Sequence, residues 1–413
     1  MLSDQLRQFP QVLCGGGEDE LVACAIGSAQ SLSVELEDPF EVGEAHLTGG
    51  LALLLGSNGL ATILSPGASD LVFFSLMKGV AISAALQAQP GIRILGRNTF
   101  HHADEMHDPV TTNFIIRATA AQGGQCLAHT QTHRWSGLAN ALHQLQRDSD
   151  AMLVKRVSSQ MRLCLSRIEC LSLAYRTVLS IVCAKAPPPD HKFISDKYAQ
   201  HLGSEYRSVL NELYSLRDAV LAASFRLHHK RTDSFQISKL RALVINSTEG
   251  SSRMIADAMF SESGDRLIHN MSSYRAVAQH CLGATNPVVG DVYQLVQSVG
   301  PMGTHPYLVY PLYDDIERMR AIEQGSSKGV LERLPLEEVK RFVGLPAHQD
   351  ALEFCYDCFE RLLRIAETLD REIGIEPQTL QITDDDIIEL TFTDENGKMI
   401  RAKRDASGRL VDY

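Results

Sequence analysis

The sequence predicts a mainly α-helical fold, a bundle of long antiparallel helices with a small C-terminal antiparallel β-meander. Three observations carry this expectation. Apolar residues recur every three or four positions over Leu153–Val182, Ala199–Leu227 and Leu352–Ile373, which is the period of one buried helix face. The run Pro187-Pro188-Pro189 separates the first two stripes, so two long helices end and restart at a short turn and fold back on each other. Beyond Gly374 two short apolar runs flank Asn396-Gly397, the strongest short-range hairpin signal.

In chain order, three regions follow: a mostly helical, Gly-punctuated and His-rich region over 1–150, the long-helix bundle over 151–375 and the meander over 376–413. Residues 46–98 hold the runs Leu51–Leu55, Leu60–Leu64 and Asp70–Met77, parted by Ser57-Asn58-Gly59 and Ser65-Pro66-Gly67. Periodicity does not separate strand from helix in runs this short. The excess of Ala and Leu over β-branched residues tips the expectation to helix. The first long stripe is Leu153, Val157, Met161, Cys164, Ile168, Leu171, Tyr175, Val178, Val182. Ser195-Asp196 offers an N-cap for the second, Ala199, Leu202, Tyr206, Val209, Leu213, Leu216, Val220, Ala223, Leu227, whose alternating steps make a heptad seam. Residues 235–330 read as mainly helical, with a connecting loop from Gly300 to Pro311. Leu334-Pro335 reads as a helix start, with Pro at an early position. The third stripe, Leu352, Cys355, Phe359, Leu362, Ala366, Leu369, Ile373, stops at Gly374. Strands are expected at Ile387–Thr393, Lys398–Lys403 and Arg409–Tyr413.

Composition bounds the function. The 413 residues are 44% hydrophobic and 22% charged, enough to build a core, which excludes a wholly disordered chain. With 39 Lys+Arg against 50 Asp+Glu the net charge is −11, so a general nucleic-acid coat is disfavoured. The densest basic run, Arg226–Arg231, is short. Nine cysteines, an odd number, show no dense disulfide framework and are expected to be reduced in a cytoplasmic protein. No basic-then-apolar leader opens the chain, and no apolar run reaches the roughly 18 residues of a membrane span. A soluble protein without membrane contact is expected.

Histidines concentrate the chemistry. His101-His102-Ala103-Asp104-Glu105-Met106-His107-Asp108 gathers imidazoles and carboxylates, the usual ligands of iron, manganese or zinc. Here His102 and His107 are the metal candidates and Glu105 the acid–base carboxylate. Cys126, His129 and His133 fall on one face if their segment is helical, and His129 and His133 complete the candidate metal set for iron, haem or zinc. Thr130 stands where a zinc-protease helix carries its Glu, so that reading fails. His305, in a loop rich in Gly, Pro and Tyr, is a candidate base or haem ligand. Arg275 and His280 match the Arg-x4-His spacing of helical RNA-cleaving domains. The plain alternatives are solvated loop histidines and ordinary amphipathic helices. No GxGxxG, P-loop, GxSxG, paired CxxC or EF-hand motif is present.

Three readings follow, in order. The first is a soluble intracellular helical enzyme acting on a small molecule through a His-ligated metal or haem, iron-dependent oxidoreduction among the chemistries. The second is a self-associating assembly protein, a homo-oligomer built through its heptad helices. The third is a helical ribonuclease using Arg275 and His280.

Overall fold

The structure, a computed structural model, describes residues 42–56, 60–64, 71–74, 91–102, 114–121, 127–185, 193–280 except 263 and 265, 291–300, 303–313, 316, 349–378, 389–393, 399–404 and 410–412. Among them the protein is mostly helical, with small antiparallel sheets. The helices are α1 (Leu127–Gln144), α2 (Asp148–Lys185), α3 (Lys197–Ala223), α4 (Ile237–Val244), α5 (Gly250–Met259), α6 (Leu267–His280) and α7 (Ala351–Ile373), with one π-helical turn, Ser224–His228, continuing α3.

The apolar stripes dictate how these helices pack. Val157, Met161, Cys164, Ile168, Leu171, Tyr175 and Val178 of α2 are fully buried, as are Leu202, Val209, Leu213 and Leu216 of α3. The two helices lie against each other, α1 covers α2, and α7 packs on α1, α2, α3, α5 and α6. Each such Leu, Val or Met removed from water contributes about 1.5–3 kcal/mol. The seam positions expected to drive association are thus filled within the chain. The ends are chemically marked. Asp196 caps α3 by accepting from the backbone N–H of Tyr198 and Ala199 at 2.8 and 2.9 Å, and Gly374 closes α7 in the left-handed region at φ 67°.

At the start of α7 lies Asp350, only 3% exposed. Its Oδ2 accepts from the N–H of Leu352 and Glu353, and its Oδ1 from Tyr175 Oη and Tyr310 N, both at 2.8 Å. One carboxylate therefore joins α7, α2 and the strand end before Tyr310. Burial pushes its pKa up to about 7, against the lowering effect of those hydrogen bonds.

The N-terminal region corrects the helical expectation. Residues 42–121 contain β1 (Val42–Leu47), β2 (Ala52–Gly56), β3 (Leu60–Leu64), β4 (Leu71–Phe74), β5 (Ile94–His102) and β6 (Phe114–Ala121), one antiparallel sheet in the order β4-β3-β2-β1-β5-β6. The physical reason is length. Apolar runs of five residues between turn residues match a strand, whereas a helix needs two or more further turns to repay its nucleation. The loop expected over Gly300–Pro311 is likewise corrected. β8 (Tyr293–Gly300) and β9 (Gly303–Val309) pair up to Gly300↔Gly303, and β7 (Phe193–Ile194) joins β8. At the C-terminus β10 (Glu389–Thr393), β11 (Met399–Arg404) and β12 (Leu410–Asp412) pair antiparallel in sequence order. The Asn396-Gly397 turn and the helix start at Leu334-Pro335 lie outside the described residues.

The sheet meets the helices at a tight turn, Thr48–Gly50, between β1 and β2. Gly49 and Gly50 have φ of 70° and 84°, a region that favours glycine. A Cβ on Gly50 would stand 2.8 Å from Arg176 N and Tyr175 C, the backbone of α2. Beside this contact His46 Nδ1 is 2.9 Å from Ser172 Oγ, so the close approach is locked by a buried polar pair.

Candidate functional site at the end of the third helix

The residues expected to carry chemistry are not all within reach. Glu105 and His107 lie outside the described residues. His102 ends β5 opposite Phe114, and His305 sits on β9 opposite Ser298; the side chains of both are outside the described residues. His129 and His133 do share the exposed face of α1, with ring centroids 4.3 Å apart in an edge arrangement. Partial burial, the His133 ring and the nearby Arg162 charge lower the pKa of His129. Among the described residues no group of three or more His, Cys, Asp or Glu side chains is placed to hold a metal ion. Arg275 is stacked 4.3 Å over the Tyr214 ring and donates from Nε to Asn211 at 3.1 Å. The His280 side chain is outside the described residues.

A different cluster stands out, at the π-helical turn that ends α3. The stripe of α3 keeps Phe225 and Leu227 buried, but His229 N donates to Ser224 O across five residues at 3.0 Å, widening the turn. The chain leaves it through Lys230, a non-glycine residue at φ 51°, a conformation few such residues adopt. This exit turns Lys230 and Arg231 back toward Arg226 and, with Arg147 from the α1–α2 connection, they line a cavity of about 370 Å3. Leu227, Ile373 and Ile375 supply its apolar wall and Asp150 its carboxylate.

Asp150 organises the cations. Its Oδ1 accepts from Arg226 Nε at 2.8 Å, from 76 residues along the chain, and its Oδ2 from Arg147 Nε at 2.9 Å. Burial alone would raise the Asp150 pKa, but the hydrogen bonds and charges of Arg226 and Arg147 outweigh it and hold the carboxyl below its ordinary value. The group stays ionised at neutral pH and fixes both guanidinium planes. Arg231 Nε lies 3.4 Å from Asp233, which Lys239 also binds at 2.7 Å. The lining sets four cations against the one carboxylate of Asp150, three positive charges in excess on the wall of a concavity.

On the same turn His228 and His229 lie ring to ring at 4.7 Å. His229 Nε2 is 3.2 Å from Ser252 Oγ, and His228 Nδ1 is 3.6 Å from Glu372 Oε2. Glu372 also accepts from the Ser251 backbone N–H at 2.9 Å and from its hydroxyl, tying the N-terminus of α5 to the end of α7. Burial, then the neighbouring His228, lower the pKa of His229 against the raising effect of Glu372, which favours the neutral ring. The sequence marked Arg226–Arg231 only as a short basic run. Its partners Arg147, Asp150, Ile373 and Ile375 come from distant segments, and no local spacing links them.

Compared with known proteins, the chain matches no family model, no curated protein and no solved structure.

Proposed function

We propose that the protein is an enzyme acting on a small molecule whose phosphate or carboxylate group is held in the cavity at the π-helical turn. The observation that carries this reading is the convergence of Arg147, Arg226, Lys230 and Arg231 on one concave wall. Guanidinium groups bind oxyanions in bidentate fashion, and a recess with an excess of positive charge raises the local concentration of an anion. Leu227, Ile373 and Ile375 would face the organic part of the ligand. His228 and His229, next in the chain to cavity residues, supply imidazoles for proton transfer. Five described cysteines are free thiols, which fits a reducing, cytoplasmic compartment. Among the described residues no helix is long and apolar enough to cross a membrane.

The test is calorimetric titration of the full chain with inorganic phosphate, pyrophosphate, a nucleoside triphosphate and a dicarboxylate. At least one should bind saturably. The variant Lys230→Ala plus Arg231→Ala, which spares the Asp150 clamp, should weaken it at least about tenfold, or ~1.4 kcal/mol. Absence of saturable binding by any of the four, or equal binding by the variant, would overturn the reading.

A second reading keeps the metal expectation for His129 and His133, supported by their 4.3 Å ring separation on one helix face. Elemental analysis and an absorption spectrum of protein purified without a His-tag check it. The expected result is bound iron, haem or zinc that His129→Ala plus His133→Ala removes. Metal-free protein, or metal retained by the double variant, sinks it.

A further inference from the structure

The inner face of α2 is filled by α1 and α3, but its outer face carries a second periodic pattern. Positions 152, 156, 159, 163, 166, 170, 173 and 177 alternate steps of four and three and all are exposed. This is the spacing of a helix-packing seam. Its large apolar members are Met152, Leu163 and Leu173, exposed by 69, 45 and 56%, with the free thiol of Cys170 between the last two. Ser159 and Ser166 keep the seam low enough for another backbone to approach.

The charges along this face are mostly positive, the half-buried Glu169 being the acidic exception. The exposed charged residues between 152 and 177 are Lys155, Arg156, Arg162 and Arg167, on a chain whose net charge is −11. Lys155, Arg156 and Arg167 form no ion pair among the described residues, and Arg162 reaches only Ser136 Oγ, at 3.5 Å. Exposed apolar side chains at Met152, Leu163, Cys170 and Leu173, with Arg156 within the seam and Lys155, Arg162 and Arg167 beside it, form one half of a coiled-coil-like contact.

We infer that the outer face of α2, from Met152 to Thr177, docks an amphipathic helix of another protein with acidic residues flanking its apolar seam. The span is about 38 Å at 1.5 Å per residue, three to four heptads of partner. The charge pattern argues against a second copy, because pairing this face with itself sets Arg162 and Arg167 against like charges. The narrow seam, interrupted by serines, is a poor match for a flat lipid surface, which calls for a broad continuous apolar stripe.

The probe is a labelled 28-residue synthetic helix with Leu and Ile at the seam positions and Glu beside them, titrated with the full chain in about 150 mM salt, where long-range attraction is screened. A control peptide has the same composition with its apolar residues moved out of register. The heptad peptide should bind saturably, at least about tenfold tighter than the control, and lose that advantage with Leu163→Glu plus Leu173→Glu. Both substitutions are on the surface, and an unchanged thermal melt verifies the fold. The reversal Arg162→Glu plus Arg167→Glu should switch preference to a peptide flanked by Lys. Equal binding of the two peptides, or indifference to the apolar substitutions, overturns the proposal. So does self-association, or capture by vesicles containing phosphatidylserine, that the same apolar substitutions abolish.

Discussion

Replacing Asp350 with alanine is expected to lower the unfolding free energy by about 1.5–5 kcal/mol at neutral pH. The carboxylate serves four donors: Tyr175 Oη, Tyr310 N, and the N–H groups of Leu352 and Glu353. Alanine removes the N-cap of α7, worth about 0.5–2 kcal/mol. It also leaves the O–H of Tyr175, a fully buried residue whose oxygen still accepts from Leu352 N, without an acceptor, at about 1–3 kcal/mol. Urea denaturation measures the loss. Its pH dependence gives a second, independent readout. Burial raises the Asp350 pKa to about 7 in the folded chain, whereas the unfolded value is about 3.9. Between these values the folded state binds a proton that the unfolded state has released. The stability linked to Asp350 is therefore fully present below about pH 4 and declines as pH rises to about 7. The gap between wild type and Asp350→Ala should accordingly be wider at pH 5 than at pH 8. A gap under about 1 kcal/mol, or one that does not change between those values, contradicts the account.

Gly50→Ala should cost about 2–6 kcal/mol, the sum of backbone strain and overpacking at about 1–3 kcal/mol each. The strain arises because Gly50 has φ 84°. The overpacking arises because the new Cβ would lie 2.8 Å from the backbone of Tyr175 and Arg176. The second obstacle does not swing aside, since it is the main chain of a helix whose neighbouring side chain, Tyr175, is fully buried. Gly374→Ala separates the two contributions. Gly374 has φ 67°, but its nearest atom would be 4.0 Å away, so only the conformational cost of about 1–3 kcal/mol applies. Chemical denaturation of both variants should find Gly50→Ala the worse by at least about 1 kcal/mol. Equal losses would mean that the sheet and α2 are not in the contact described.

The helices were readable because their information is local. The Leu352–Ile373 stripe with Gly374 behind it foretold the extent of α7 (Ala351–Ile373), and Asp196 foretold the cap of α3. The segment over 42–121 was misread because a run such as Leu60–Leu64 has no period long enough to discriminate, and its strand identity is conferred by β2 and β4 on either side. Reading Leu and Ala as helix formers there let propensity outweigh pairing that one segment cannot reveal. The candidate site was legible only in fragments. Arg226–Arg231 drew notice as a basic run, but its meaning depends on Asp150, which pairs with Arg226 across 76 residues. His129 and His133 were correctly expected to share a helix face, since four-residue spacing on a helix guarantees it.

What the sequence determined unaided was the buried face of each of the three long helices, the start of α3 and the end of α7, because periodicity and capping act over one to four residues. Only the tertiary structure decided that the N-terminal apolar runs are strands and that Arg147, Arg226, Lys230 and Arg231 line one cavity with Asp150. It also decided which face of α2 is left uncovered. These outcomes depend on contacts between residues far apart in the chain, formed when the helices and sheet bury their apolar faces against one another.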